Sequence, residues 1–258
     1  MDKGPETPMT TLLFELCAES VEAASAAQAG GADRIELCSE LARGGLTPDP
    51  VLLAASIAAI SIPVYVLIRP RSGDFVFSPE EFALMQQQVE QAKSAGASGV
   101  AVGVLLAGGR VDVERTGALI ELARPMKATF HRAFDETPDL CEALEDVIET
   151  GADHLLTSGG AAEVLRGADC IGSLVRLAAG RLHVIAGGGL RLATLAEVVR
   201  RSGNFSLHGS LIRRNGHTAP QVAQARLEAD VREAVRLLRR EYRHMADGAV
   251  SSNSSCAQ

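Results

Sequence analysis

One feature constrains this chain of 258 residues more than any other: short β-branched or apolar runs alternate with longer helical patterns eight times over. The runs fall near 12–17, 33–38, 64–70, 99–105, 127–132, 153–158, 182–186 and 204–208. Spacing this regular suits parallel strands joined by crossover helices, and it leaves no room for a second domain. Eight such units predict an α/β fold of a single domain, a closed (β/α)8 TIM barrel. An open doubly wound sheet is the competitor. It needs a glycine fingerprint after the first strand, where Cys17-Ala18-Glu19-Ser20 stands instead.

The punctuation agrees with the repeat. Gly30-Gly31-Ala32-Asp33, Gly96-Ala97-Ser98-Gly99 and Gly151-Ala152-Asp153 each lead into a strand, so a glycine in the left-handed conformation is expected to end the preceding helix. Ser78-Pro79-Glu80-Glu81 places a cap, a first-turn proline and acidic residues at a helix start. The barrel is expected over 11–246. Residues 1–10 read as a flexible N-terminal tail, and 247–258, small and polar, as a disordered C-terminal tail carrying Cys256.

Composition excludes several classes of function. A net charge of −7 without a basic stripe argues against nucleic acid as a partner. No apolar run reaches the ~18 residues of a membrane span, and the first ten residues lack a secretion signal, so a cytoplasmic location is expected. Five cysteines are an odd number for a disulfide framework, and free thiols follow. Cys141 and Cys170, in helical segments, read as core thiols.

Strand side chains alternate between faces, which sorts each run into a helix-facing and an inward set. The inward set contains Glu15, Cys17, Arg34, Glu36, Cys38, Arg69, His131 and His208, mostly at the carboxyl ends of different strands. That is the end at which barrels of this kind carry their chemistry. Burying so many ionisable groups unpaired would cost several kcal/mol each, so they must be paired, wetted or held for a ligand. The bland alternative is a structural plug of Glu15, Glu36, Arg34 and Arg69.

Glu15-x-Cys17 and Glu36-x-Cys38 hold equivalent places in adjacent strands, ~4.8 Å apart, so their sulfurs can converge on one ion. Two soft thiolates suit Cu(I), and His208, on the strand that closes against the first, is a candidate third ligand. Two small buried apolar residues are the plain alternative. Arg69 and Arg71 suit an anion clamp or an ion-paired loop. His131 with Asp135 suits a general base or metal ligand oriented by a carboxylate, or a satisfied structural histidine. Ser158, Gly187, Gly188 and Gly209 follow strands 6 to 8, where glycines let backbone N–H groups cradle an anion or merely shape tight turns. His154, His183 and Lys127 sit near strand beginnings, away from the expected site.

The phrases FELC, GGADRIELC with GGLTP, IRPRSGDF, TFHRAFD, LTSGG and the glycine run after the seventh strand resemble the copper homeostasis protein CutC family over roughly residues 12 to 245. That resemblance implies a cytosolic, commonly self-associating (β/α)8 barrel engaged in copper homeostasis, with Cys17 and Cys38 as suggested Cu(I) ligands. Leu211 departs from the pattern, in which a small residue often follows the serine of Gly209-Ser210.

Two functions are therefore expected. One is copper binding at Cys17, Cys38 and His208. The other is an enzyme doing acid–base chemistry on a small phosphorylated or carboxylated metabolite. There Glu15, Glu36, His131 and Asp135 would be catalytic, and Arg69, Arg71, Ser158, Gly187, Gly188 and Gly209 would bind the anion.

Overall fold

A computed structural model describes residues 11–211 and 220–254. Eight parallel strands close in sequence order: β1 (Leu13–Ala18), β2 (Arg34–Leu37), β3 (Val64–Leu67), β4 (Gly99–Val102), β5 (Lys127–Phe130), β6 (His154–Thr157), β7 (His183–Gly187) and β8 (Ser206–Gly209), with β8 pairing back onto β1. Helices follow each strand: α1 (Val21–Gly30), α2 (Pro50–Ala59), α3 (Pro79–Ser94), α4 (Val113–Ala123), α5 (Leu140–Glu149), α6 (Ala168–Ala178), α7 (Leu192–Ser202) and α8 (Pro220–Ser254). The single-domain (β/α)8 barrel expected from the repeat is the fold. No helix among the described residues is long and apolar enough to cross a membrane.

The local signals act as anticipated. Ser78 accepts a hydrogen bond from the Glu81 amide while Glu81 accepts one from the Ser78 amide, a closed capping box at the head of α3 with Pro79 in its first turn. Gly31, Gly96 and Gly151 are all left-handed, with φ of 88°, 87° and 78°. The aspartate two residues after two of these glycines has a further use. Asp33 accepts from the Phe14 amide at 2.7 Å and Asp153 from the Ala128 amide at 2.9 Å, so each ties the new strand to the start of its predecessor.

Helix-facing residues such as Phe14, Leu16, Ile35, Leu37, Val66 and Phe130 pack in one continuous core between the sheet and the helices. Cys17, Cys38, Leu67 and Ala101 form a separate small cluster inside the cylinder. The sheet divides the two, as the alternation of side chains requires. The lower interior is polar and aromatic. The Arg34 guanidinium lies 3.9 Å from the centre of the Tyr65 ring, and the rings of His154 and His183 meet edge to face at 5.5 Å. Tyr65 needs a glycine opposite it: a Cβ at Gly99 would stand 2.4 Å from the Tyr65 ring.

Two expectations are corrected. The chain from Asp247 does not begin an irregular tail, because α8 continues to Ser254; residues 1–10 and 255–258, with Cys256, lie outside the described residues. Cys141 is exposed at the head of α5 and is not a core thiol, whereas Cys170 is partly buried and packs against the core. A helical segment alone does not say which face meets the core. Lys127, at the start of β5, is exposed and pairs with Asp153 at 2.7 Å, at the end of the barrel opposite the site.

Candidate functional site

At the carboxyl ends of the strands a cavity of about 240 Å³ opens between the loops, lined among others by Cys17, Glu36, Cys38, Arg69, His131 and His208. The register explains the convergence. β1 and β2 pair Cys17 with Glu36, and β1 and β8 pair Glu15 with His208, so the inward side chains of three neighbouring strands converge in two successive layers.

The thiols stand in contact: Cys17 Sγ lies 3.4 Å from Cys38 Sγ and 3.9 Å from Glu36 Oε1, all buried. Ligand atoms of Cys17, Glu36 and His208 lie within 4.8 Å of one another. The neighbouring Cys38 sulfur, burial and the nearby carboxylates push the Cys17 thiol well above its ordinary value. Glu36 is a carboxylate that the sequence could not rank. Burial raises it to about 7, with the charges of His208 and Glu15 acting in opposite senses.

Glu15 lies one layer deeper. It forms an ion pair with Arg34 and binds His208 Nδ1 at 2.7 Å. Burial alone would raise its carboxyl, but Arg34 and His208 outweigh that and hold it at about 2. Glu15 is therefore fixed as an anion and is corrected from proton exchanger to support. Its bond orients the imidazole and leaves Nε2 as the other ring donor atom. Burial works against charge on His208, yet the Glu15 hydrogen bond and the Glu36 and Glu15 charges prevail and raise its pKa.

His131 is neutral. Burial and the neighbouring Arg69 charge lower its pKa to about 3. Its Nδ1 accepts from the Ala133 amide at 3.3 Å, which puts the ring hydrogen on Nε2, and that atom is buried without a partner among the described residues. The ring fits because residue 103 is glycine; a Cβ there would stand 2.7 Å from the imidazole. His131 is thus a hydrogen-bond donor, not the base expected from its sequence context.

Asp135 does not orient His131. Its carboxylate accepts from Thr157 Oγ1 at 2.5 Å, from the amides of Ser158 and Gly160 at 3.0 Å each, from Ser158 Oγ and from Arg132 Nε, both at 2.9 Å. It is the clasp that holds the loop after β6. Ser158 is engaged in the same clasp and, with it, turned from the anion role expected of it.

Of the two arginines after β3, only Arg69 borders the cavity. Arg71 pairs with Glu81 at 2.6 Å and Asp74 at 2.9 Å and closes its own loop, so the ion-paired alternative holds for it. Gly188 and Gly209 border the cavity, whereas Gly187 serves packing, since a Cβ there would meet Leu156 at 2.7 Å and His208 at 3.0 Å. Leu211, with φ 52°, takes the left-handed conformation that favours glycine, a physical reason for a small residue after the serine. Residues 212–219 of the following loop lie outside the described residues.

Phe75 and Leu156, which the sequence reading did not assign to the site, also line the cavity, as do Leu67, Gly189 and Ser210. The aromatic signal at Phe75 stood inside the RPRSGDF phrase, but nothing in the sequence says that its ring folds back over the strand end.

Comparison with other proteins agrees with this architecture. A family-wide profile described as CutC family matches residues 12–213. The family protein CutC of Chromobacterium violaceum is 45% identical over 198 residues, 77% of this chain and 80% of the relative. That of Caulobacter vibrioides is 43% identical over 199 residues, 77% and 81% of the two chains. The crystal structure of the putative copper homeostasis protein CutC from Streptococcus agalactiae superposes with a TM-score of 0.74 at 26% identity, covering 79% of this chain and 100% of the other. N-(5'-phosphoribosyl)anthranilate isomerase from Pyrococcus furiosus, at TM-score 0.54 and 16% identity, shares the fold alone. With its matched profile and relatives above 40% identity, the chain belongs to the CutC family.

Proposed function

We propose that the chain binds a soft cation, Cu(I), at the carboxyl ends of its strands, through Cys17 and Cys38 with His208 as third donor, and thereby takes part in copper homeostasis. The observation that carries this reading is the 3.4 Å approach of two buried sulfurs beside a carboxylate and an oriented imidazole. Soft thiolates favour Cu(I) over hard cations, and burial keeps competing hard ligands away. The name borne by the streptococcal relative supports the same reading. The Cys17 thiol is held protonated, so loading releases protons and affinity rises with pH. Glu36, next to Cys17 and with its pKa near neutrality, is the acceptor at hand for a departing proton. Cytosolic copper handling and self-association complete the reading. Anaerobic Cu(I) titration against a colorimetric competitor tests it: Cys17→Ser and Cys38→Ser should each lose most of the affinity, and unchanged stoichiometry and affinity in both removes it.

A second reading, acid–base chemistry on a small phosphorylated or carboxylated compound, draws support from one group. Of the residues expected to exchange protons, Glu36 alone combines a place on the cavity with a pKa near 7. A thermal-shift screen against sugar phosphates and carboxylic acids tests it, and silence from every anion counts against it.

A further inference from the structure

Arg69 is a buried cation that neither copper nor proton exchange accounts for. Its guanidinium donates only to neutral carbonyls, to Gly44 at 3.2 Å and Gly45 at 3.3 Å through one terminal nitrogen and to Gly73 at 2.6 Å through the other. Among the described residues Nε is buried without a partner and the side chain makes no ion pair. The other arginines near this rim are neutralised, Arg34 by Glu15, Arg71 by Glu81 and Asp74, and Arg132 by Asp135. Glu136 acts on it electrostatically but forms no ion pair with it, and a guanidinium taken out of water without a paired anion is costly unless something anionic completes it.

His131 stands beside it with the same deficit, a buried ring whose Nε2 hydrogen has no acceptor among the described residues. Phe75 binds the two into one wall, with its ring centre 4.6 Å from the Arg69 guanidinium carbon and 5.0 Å from the imidazole centre. Both side chains border the cavity. We propose that this wall is a binding subsite for the carboxylate of a small organic acid, with Arg69 supplying the charge and the His131 Nε2 hydrogen a second, neutral donor.

The charge balance selects the class of ligand. One cation without an ion pair and one neutral donor match a single negative charge spread over two oxygens. A phosphate dianion needs more donors. The small cavity and its apolar members Phe75, Leu67 and Leu156 suit a short carbon skeleton. The subsite rests on the anion half of the second reading and is independent of copper and of any reaction.

Isothermal titration of the metal-free protein with propionate, propionamide and inorganic phosphate tests it. Propionate should bind and propionamide should not. Arg69→Met should weaken propionate by about tenfold or more, as loss of a charge-assisted bond does. His131→Phe, which keeps a ring against Phe75, should weaken it too, and it carries the test where Arg69→Met does not fold. Arg71→Ala should leave it unchanged. Failure of propionate to bind, equal binding of propionamide, tighter binding of phosphate, or full affinity in both site variants overturns the subsite. Binding without turnover of any carboxylate leaves the subsite standing and removes the acid–base reading instead.

Discussion

Replacing Glu36 by glutamine isolates a buried acid whose charge state changes near neutrality. Its carboxyl moves from 4.5 to about 7 on folding, chiefly because burial removes water from the charged form. The folded state therefore binds the proton more tightly than the unfolded chain. Below pH ~4.5 both states are protonated and the residue costs nothing; between ~4.5 and ~7 the unfolded chain ionises first; above ~7 the full cost is present. A gap of about two and a half pH units, at about 1.36 kcal/mol each, comes to about 3 kcal/mol. Glutamine matches the protonated acid in shape and cannot ionise. Glu36→Gln should match wild type near pH 4 and exceed it by about 3 kcal/mol near pH 8.

Urea denaturation of the metal-free proteins across that range reads the difference directly. The subtraction matters, because the neutral His131 and His154, lowered to about 3 and about 4 by burial, give both proteins an opposing rise in stability up to pH ~6.5. A wild-type minus variant difference that stays flat with pH would refute the reasoning, since the carboxyl would then titrate alike in both states.

Other perturbations separate support from site. Glu15→Gln should destabilise the fold by about 3–5 kcal/mol at pH 7, because it strands Arg34 in the interior. That loss should shrink as pH falls from ~4.5 toward ~2, where wild-type Glu15 also loses its charge, as acid titration of both proteins would show. Asp135→Asn should cost about 1–3 kcal/mol in chemical denaturation and speed proteolysis in the loop after β6, whose hydrogen bonds converge on that carboxylate. Arg71→Ala should cost less than about 1 kcal/mol by the same denaturation measurement, as a partly exposed loop pair does.

The barrel was legible because its signal is periodic: strand alternation fixes which side chains enter the cylinder, and position along a strand fixes how near they lie to the rim. That logic put Glu15, Cys17, Glu36, Cys38 and His208 together: the register pairs Cys17 with Glu36 and Glu15 with His208, and the Cys38 sulfur meets that of Cys17. It fails where a side chain has a choice of partner. Asp135, four residues from His131, lies on a short 3-10 turn that carries its carboxylate to the loop after β6 instead. Arg71 follows Arg69 by two residues, yet Asp74 and Glu81 draw it outward while Arg69 is pinned inward by carbonyls. Charge state was also hidden, because Glu15 and Glu36 look equivalent in sequence. Burial raises both, but Arg34 and His208 bond the first and act on the second only through their charge, and their pKa values part to about 2 and about 7.

The sulfur pair is the centre of the functional account, and X-ray absorption at the copper edge on protein loaded anaerobically with one equivalent of Cu(I) probes it most directly. Two sulfur neighbours with a nitrogen contribution in wild type, reduced to one sulfur in Cys17→Ser, is the predicted result. A spectrum of nitrogen and oxygen neighbours alone, or one unaltered when Cys17 and Cys38 are both serine, would contradict it.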